Sequence, residues 1–503
     1  MGLNHGGGPS LGERSSGHPS WMPAWELVGL IAAIIVFVCA STSFALQVPA
    51  FHSTDERAHL GYAHAIADGH LPEIDDRPDI PTEATVWRDV VAGKSRTDSY
   101  RTVWVANHPP LHYVLVAPLI WLSTAAGRTD GGVMYMRFAN IAFACAGIAF
   151  TYLLAVQLTG GERRSGLAAA SLVALIPRGH FEFAQGFNDG LSFAATTAVV
   201  WAAVRYLRHG HSSSGLLVLG ATVAVAAGSR AAAMIVAVAV VAVVSVVRLI
   251  THGGTVRLRA RAAALTAIGG LAPAAVLFGW FYLRNVSLYG DIGASSYLLE
   301  RFERSPVGTP LGLFTRGHMW VRIYQELPIK SLLTMRAAPP ATIVANVVAV
   351  LTAIGLAIGA VTRRGLAGSA RRRSLQPSVS ALAVCAVVVL VVATTIVQHT
   401  SGGGVATSRY VFPALGVLAG LFAIGLDRLM GLLPVIVVAT LGLWSARFLP
   451  GRILSEIEQA GVTPSALSGV SKAVLSGLSI VCVVVLIAIL FATRRSAAAD
   501  AAA

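Results

Sequence analysis

The stretch Asn107–Ala126, NHPPLHYVLVAPLIWLSTAA, decides how the rest of the chain threads. Its apolar part, 111–126, follows Pro109-Pro110 and contains Pro118. About 20 apolar residues are needed to cross roughly 30 Å of hydrocarbon, so this run is short for a span. If it crosses, the two long polar segments at 47–133 and 285–340 lie on opposite faces of a membrane. If it does not, both lie on one face and the N-terminus lies on the other. We read it as a horizontal or re-entrant helix at the outer surface.

That question arises because the chain as a whole is written for lipid. Of its 503 residues 55% are apolar and only 12% charged, and its mean hydropathy is +0.68. A soluble protein of this length would carry about 25% charged residues. Apolar runs predict spans at 25–46, 134–158, 164–180, 188–207, 214–229, 231–250, 262–284, 341–361, 379–398, 409–427, 430–448 and 470–493. The expected fold is an all-α polytopic membrane protein of about 12 helices, with juxtamembrane helices in a large first extracytoplasmic loop. The expected divisions are a disordered tail at 1–24, a membrane module at 25–430, C-terminal spans at 431–493 and a tail at 494–503. The segment after Trp25 is too long for a signal-peptide core and reads as a retained span.

The net charge of +14 comes almost wholly from arginine, with lysine only at Lys94, Lys330 and Lys472. No basic patch is interleaved with aromatics, so nucleic acid is not an expected partner. The arginine clusters, such as Arg163/Arg164, Arg205/Arg208 and Arg371–Arg373, occupy alternate connections. The positive-inside rule makes that face cytoplasmic. The Arg, Ala, Gly and Val bias suggests a GC-rich bacterium and hence its plasma membrane. Cys39, Cys145, Cys385 and Cys482 are scattered singly, without metal-ligand spacing.

The polar segments are unequal. Residues 47–133 hold 11 of the 24 acidic residues, whereas 286–340 carries Arg301, Arg304, Arg316, Arg322, Lys330 and Arg336. An acidic loop facing a basic one suggests a polar cavity. Just past the first span, FHSTDERAHLGYAHAIADGHLP (Phe51–Pro72) places Asp55 and Glu56 where ionisable groups are costly unless they pair or act. Asp55 also suits a helix N-cap. His59 and His64 are five residues apart and so off one another's helical face, which does not match a standard zinc set. No cofactor is indicated; a divalent metal is left open.

STDERAHLGYAHAIADGHLP followed by NHPPLHYVLVAPL resembles the first extracytoplasmic loop of GT-C superfamily glycosyltransferases. In particular it is similar to bacterial relatives of dolichyl-phosphate-mannose protein mannosyltransferases. MRFANIAFACAGIAFTYLLAVQL, FNDGLSFA, FGWFYLRNVSLYGD and TSRYVFPAL resemble later segments of such proteins. The resemblance implies a transferase that moves a sugar from a polyprenyl phosphate to an envelope glycan, lipid or protein at the outer face. It also supports the non-crossing reading of 111–126.

Such a reaction needs a base for the acceptor hydroxyl and cationic groups for the departing phosphate. Asp55 and Glu56 are the expected catalytic carboxylates. Arg284, Arg409 and Arg230 are the expected phosphate ligands, although arginine at an interface commonly snorkels. His108, His59, Asn188, Asp189 and Tyr410 are expected to contact substrate. The rival readings are a multi-span transporter and a non-catalytic polyprenyl-glycan handling protein. The absence of an evident repeat and of mid-span acidic residues weighs against the transporter.

Overall fold

The computed structural model describes residues 24–48, 50–51, 54–78, 102–127, 131–329, 346–347, 350–351, 354–355, 379–429, 432–442 and 468–502. Among these residues, eight helical segments are long and apolar enough to cross a membrane: Ala24–Gln47, Val133–Thr159, Asp189–Arg208, Ala231–Thr251, Val256–Tyr289, Val379–Ser401, Ser408–Leu429 and Ala473–Thr493. Each coincides with an expected span. Expected spans 341–361 and 430–448 lie wholly or partly outside the described residues; of the latter, Leu433–Gly442 is helical. The tail at 1–24 lies outside them but for its last residue, Ala24. The C-terminal helix continues to Ala502.

The expected span at 164–180 is corrected. It divides into a helix at Arg163–Ala174 and another at Pro177–Phe183. Pro177 lacks the N–H that would continue the first helix and takes the N-terminal position of the second. The expected span at 214–229 is a 17-residue helix, about 25 Å long at 1.5 Å per residue.

The first span, α1 (Ala24–Gln47), and the helix at Val133–Thr159 run antiparallel and are tied at both ends. At one end the Glu26 carboxylate accepts from Tyr152 Oη at 3.0 Å and from Arg163 at 3.1 Å. At the other, Arg137 Nη1 donates to the carbonyls of Ala45 at 2.7 Å and Val48 at 2.6 Å. The chain therefore leaves α1 and enters the next span on the same side. The intervening α2 (Thr54–Ala67) and α3 (Leu111–Ala125) do not cross.

These two short helices lie side by side. His59 shares a 2.7 Å hydrogen bond with Tyr113, the rings of Tyr62 and Tyr113 stack at 3.7 Å, and Trp121 Nε1 donates to the carbonyl of Ala67 at 2.9 Å. Pairs 54 residues apart recur at both ends, so α2 and α3 are parallel.

The acidic and basic loops meet, as their charges imply. Asp75 pairs with Arg301 at 2.7 Å and accepts from Tyr297. Asn285 Nδ2 donates to the carbonyl of Asn107 at 3.0 Å, and Asn107 Nδ2 donates to the carbonyl of Gly293 at 2.7 Å.

Candidate active site

Spans alternate in direction, so the start of one helix gathers beside the end of the one before. Asp55, Asp189, Arg230 and Arg409 are collected in this way at the end of the bundle away from Arg163 and Arg164. Arg409 is the centre. Its Nη1 donates to Asp55 Oδ2 at 2.6 Å, while its Nε and Nη2 donate to Asp189 Oδ2 at 2.9 and 2.7 Å. Asp189 Oδ1 takes Arg230, and Glu182 lies 4.0 Å from Arg409 Nε. The Arg409 guanidinium sits 4.1 Å from the centroid of the Phe187 ring, within cation–π range.

Local structure fixes each member. Arg409 is the second residue of a 3-10 turn, Ser408–Ala414, whose entry is held by Thr407 Oγ1 accepting from the Arg409 backbone N–H. The buried Glu326 carboxylate accepts from Ser408 N at 2.8 Å, so a helix of the second loop (Gly317–Ile329) fastens the same turn. Asp189 is placed by Asn140, which accepts from Gly190 N at 2.7 Å and donates to the carbonyl of Gln185 at 2.9 Å. Any Cβ at residue 190 would come 2.3 Å from the Asn140 carbonyl oxygen, so only glycine permits that approach. Arg230 occupies an extended residue between the helices Ser213–Ser229 and Ala231–Thr251.

Of the two expected carboxylates, only Asp55 reaches this cluster; its side chain is 23% exposed. Glu56 is reassigned. It is 1% exposed and bound by both edges of Arg137, at 2.7 and 2.8 Å. It also accepts from Phe51 N at 2.8 Å and Gly186 N at 2.9 Å. A carboxylate so surrounded holds the end of α1 to α2 and to the segment before Asp189, and is not available to an acceptor sugar.

Arg284 is likewise not brought to Asp55. Its Nη2 donates to the carbonyl of Pro72 at 2.9 Å, anchoring the long helix to the first loop. Asn188 is fully buried and donates to the carbonyl of Ser229 at 3.1 Å, a link between two spans rather than a substrate contact.

His59 and His108 stack with centroids 6.0 Å apart, and His59 also meets Phe187 at 5.3 Å. Burial, reinforced by the charges of Arg409 and Arg230, holds both imidazoles well below their ordinary pKa. They are therefore neutral. His108 Nδ1 is buried with no hydrogen-bond partner among the described residues. Tyr410 stands beside His399, ring centroids 4.6 Å apart.

A cavity of ≈ 100 Å³ opens against this cluster. Arg230, His399, Arg409 and Tyr410 form its polar end, while Ala232, Val236, Val392 and Pro413 make most of its apolar wall. No group of three or more His, Cys, Asp or Glu with metal-holding geometry occurs among the described residues.

Sequence reasoning missed Arg137, Glu182 and Arg178, which pairs with Glu182. A single arginine in the first turn of a span reads as an interfacial anchor. Its partner, 81 residues earlier, leaves no local signal.

Residues 107–280 match the family described as dolichyl-phosphate-mannose-protein mannosyltransferase. The match covers 174 of the 503 residues, about a third of the chain. The matched region includes His108, Asp189 and Arg230 but ends before Arg409 and begins after Asp55. No curated protein sequence matches the chain. Among solved structures, it is similar to ArnT from Cupriavidus metallidurans bound to undecaprenyl phosphate. That pair is 14% identical, with 93% of this chain and 75% of that one covered and a TM-score of 0.48. It is also similar to the oligosaccharyltransferase AglB from Archaeoglobus fulgidus, in complex with an inhibitory peptide and a dolichol-phosphate. There the identity is 12%, the coverage 91% and 56%, and the TM-score 0.39.

Proposed function

We propose that this protein transfers a sugar from a polyprenyl-phosphate donor to an envelope glycan, lipid or protein. The observation that carries the reading is Asp55: a partly exposed carboxylate held at one oxygen by Arg409, which lines a cavity with an apolar wall and polar groups beside that arginine. That layout suits an amphiphilic donor, with its chain along Val236 and Val392 and its phosphate toward His399 and Tyr410.

In the proposed step, Asp55 takes the proton of the acceptor hydroxyl as that oxygen attacks the anomeric carbon. The bond from the anomeric carbon to the phosphate oxygen breaks on the opposite side, and polyprenyl phosphate leaves with its electron pair. A single displacement of this kind inverts the anomeric centre and needs no second carboxylate as nucleophile. The reassignment of Glu56 is compatible with that requirement. Arg409 acts by fixing Asp55 against Asp189, so the base does not have to be ordered during the reaction.

The site lies at the end of the bundle opposite the arginine-rich connections, which the positive-inside rule makes extracytoplasmic. Single cysteines at positions 75 and 308 should therefore both react with an impermeant thiol reagent added outside intact cells. Labelling of one and not the other would contradict the proposed side. The activity is tested by lipid and cell-wall glycan analysis of a deletion strain. The wild-type gene should restore the missing species, and an Asp55→Asn gene expressed to the same membrane level should not. Restoration by Asp55→Asn removes Asp55 from the chemistry.

A further inference from the structure

The charges around the cavity are matched internally. Arg409, Arg230 and Arg178 face Asp55, Asp189 and Glu182, three cations against three carboxylates within ion-pair distance. An incoming phosphate would have to compete with Asp189 for both arginines that line the cavity. Drawing Arg230 and Arg409 away from Asp189, which is 3% exposed, would leave that carboxylate buried without its counter-charges. Groups without an internal partner are better placed to receive the anion.

Two polar groups on the cavity wall meet that description. Neither the His399 ring nitrogens nor the Tyr410 hydroxyl has a hydrogen-bond partner among the described residues, and both side chains line the cavity. The backbone holds His399 there. A Cβ at residue 404 would come 2.1 Å from His399 Nε2, so the ring rests on the bare backbone of Gly404. Gly403, at φ 92°, lets the second loop close on the same place: Val307 N donates to the carbonyl of Ser401 at 3.0 Å. A Cβ at residue 403 would come 3.1 Å from that of Arg304. Arg304 has no carboxylate partner among the described residues; its guanidinium lies over Phe302 at 5.2 Å.

We propose that His399 donates a hydrogen bond to the phosphate of the lipid donor, with Tyr410 as a second donor and Arg304 as the cation at the cavity mouth. This assignment rests on the proposed function and shifts phosphate recognition away from Arg409 and Arg230, which it leaves as positioning residues. The groups facing His399 are Arg230 from the helix at Ala231–Thr251, Arg409 and Tyr410 from the 3-10 turn, and Arg304 from the second loop. All but Tyr410 are cations, so a phosphate bound beside His399 is met by positive charge from three elements.

The test uses the full chain in lipid nanodiscs, with a short-chain prenyl phosphate and the matching prenol as probes. Hydrogen bonds to charged groups contribute about 1.5–3 kcal/mol, so loss of one should weaken phosphate binding by roughly 10- to 100-fold. His399→Asn should do so while leaving prenol binding unchanged. Tyr410→Phe, which keeps the ring on His399, should give a smaller loss. If the wild type prefers phosphate and both variants do too, the His399 assignment is overturned while the proposed function stands. If the wild type binds prenol and prenyl phosphate alike, both are overturned.

Discussion

Asp55 and Glu56 are adjacent in the chain and begin the same helix, yet they belong to different parts of the molecule. Glu56 faces into the bundle, where Arg137 and two backbone N–H groups occupy its oxygens and its side chain is 1% exposed. Asp55, about 100° around the helix, pairs with Arg409, which lines the cavity, and keeps part of its surface open. The two arginines differ in the same way. Arg137 ends on main-chain carbonyls of α1, whereas Arg409 ends on Asp189, itself shared with Arg230. One pair is a lock between helices; the other is a hub beside open space. Adjacent carboxylates are thus separated by a single helical step, one sealed into the bundle and the other left open for the proposed chemistry.

Exchanging charges at the two positions is the way to break that comparison. Asp55→Asn should lower transfer by about 100- to 10,000-fold, the usual contribution of a positioned base. Its unfolding midpoint should stay close to wild type, because Arg409 keeps Asp189. Glu56→Gln should do the reverse. It leaves Arg137 buried without its counter-charge, a loss of about 3–5 kcal/mol that denaturant unfolding in detergent micelles would register. Glu56→Gln with Arg137→Met should recover part of that loss. Equal stability losses at the two positions would erase the distinction drawn here.

A smaller effect concerns pH. His59 and His112 are buried and His108 partly so; loss of hydration is the first cause that lowers each imidazole, His112 to about 3. In the unfolded chain these imidazoles bind protons near pH 6.5. Where the unfolded state binds more protons than the native one, stability falls as pH falls. Stability should therefore be level above about pH 7.5 and decline from about pH 6.5 toward pH 3. His112→Asn should flatten part of that decline, and an unchanged slope would mean the ring is not held neutral.

Much of this was readable in the sequence because it depends on one-dimensional quantities. Span positions follow from apolar run length. The non-crossing of 111–126 follows from its shortness and prolines, and the structure adds the reason: α1 and the next span are joined at both ends. Asp55, Asp189, Arg230 and Arg409 were legible because each sits at a helix boundary that alternation of direction brings to one end. What was not legible is which neighbours they choose. Arg284 and Arg409 look alike in sequence, each beside aromatics at a span end, but one reaches a loop carbonyl and the other a carboxylate. Arg178 lay in a run, 164–180, read as one continuous span, which Pro177 breaks, and Glu182 lay just past its end.

The central claim is that Asp55 acts on the acceptor and not on the lipid donor. Its direct measurement is a paired assay of wild type and Asp55→Asn in the same nanodiscs, reading prenyl-phosphate binding alongside glycan transfer in the complemented strain. The account predicts unchanged binding with transfer reduced at least about 100-fold. Retained transfer, or binding and transfer lost together, would contradict it.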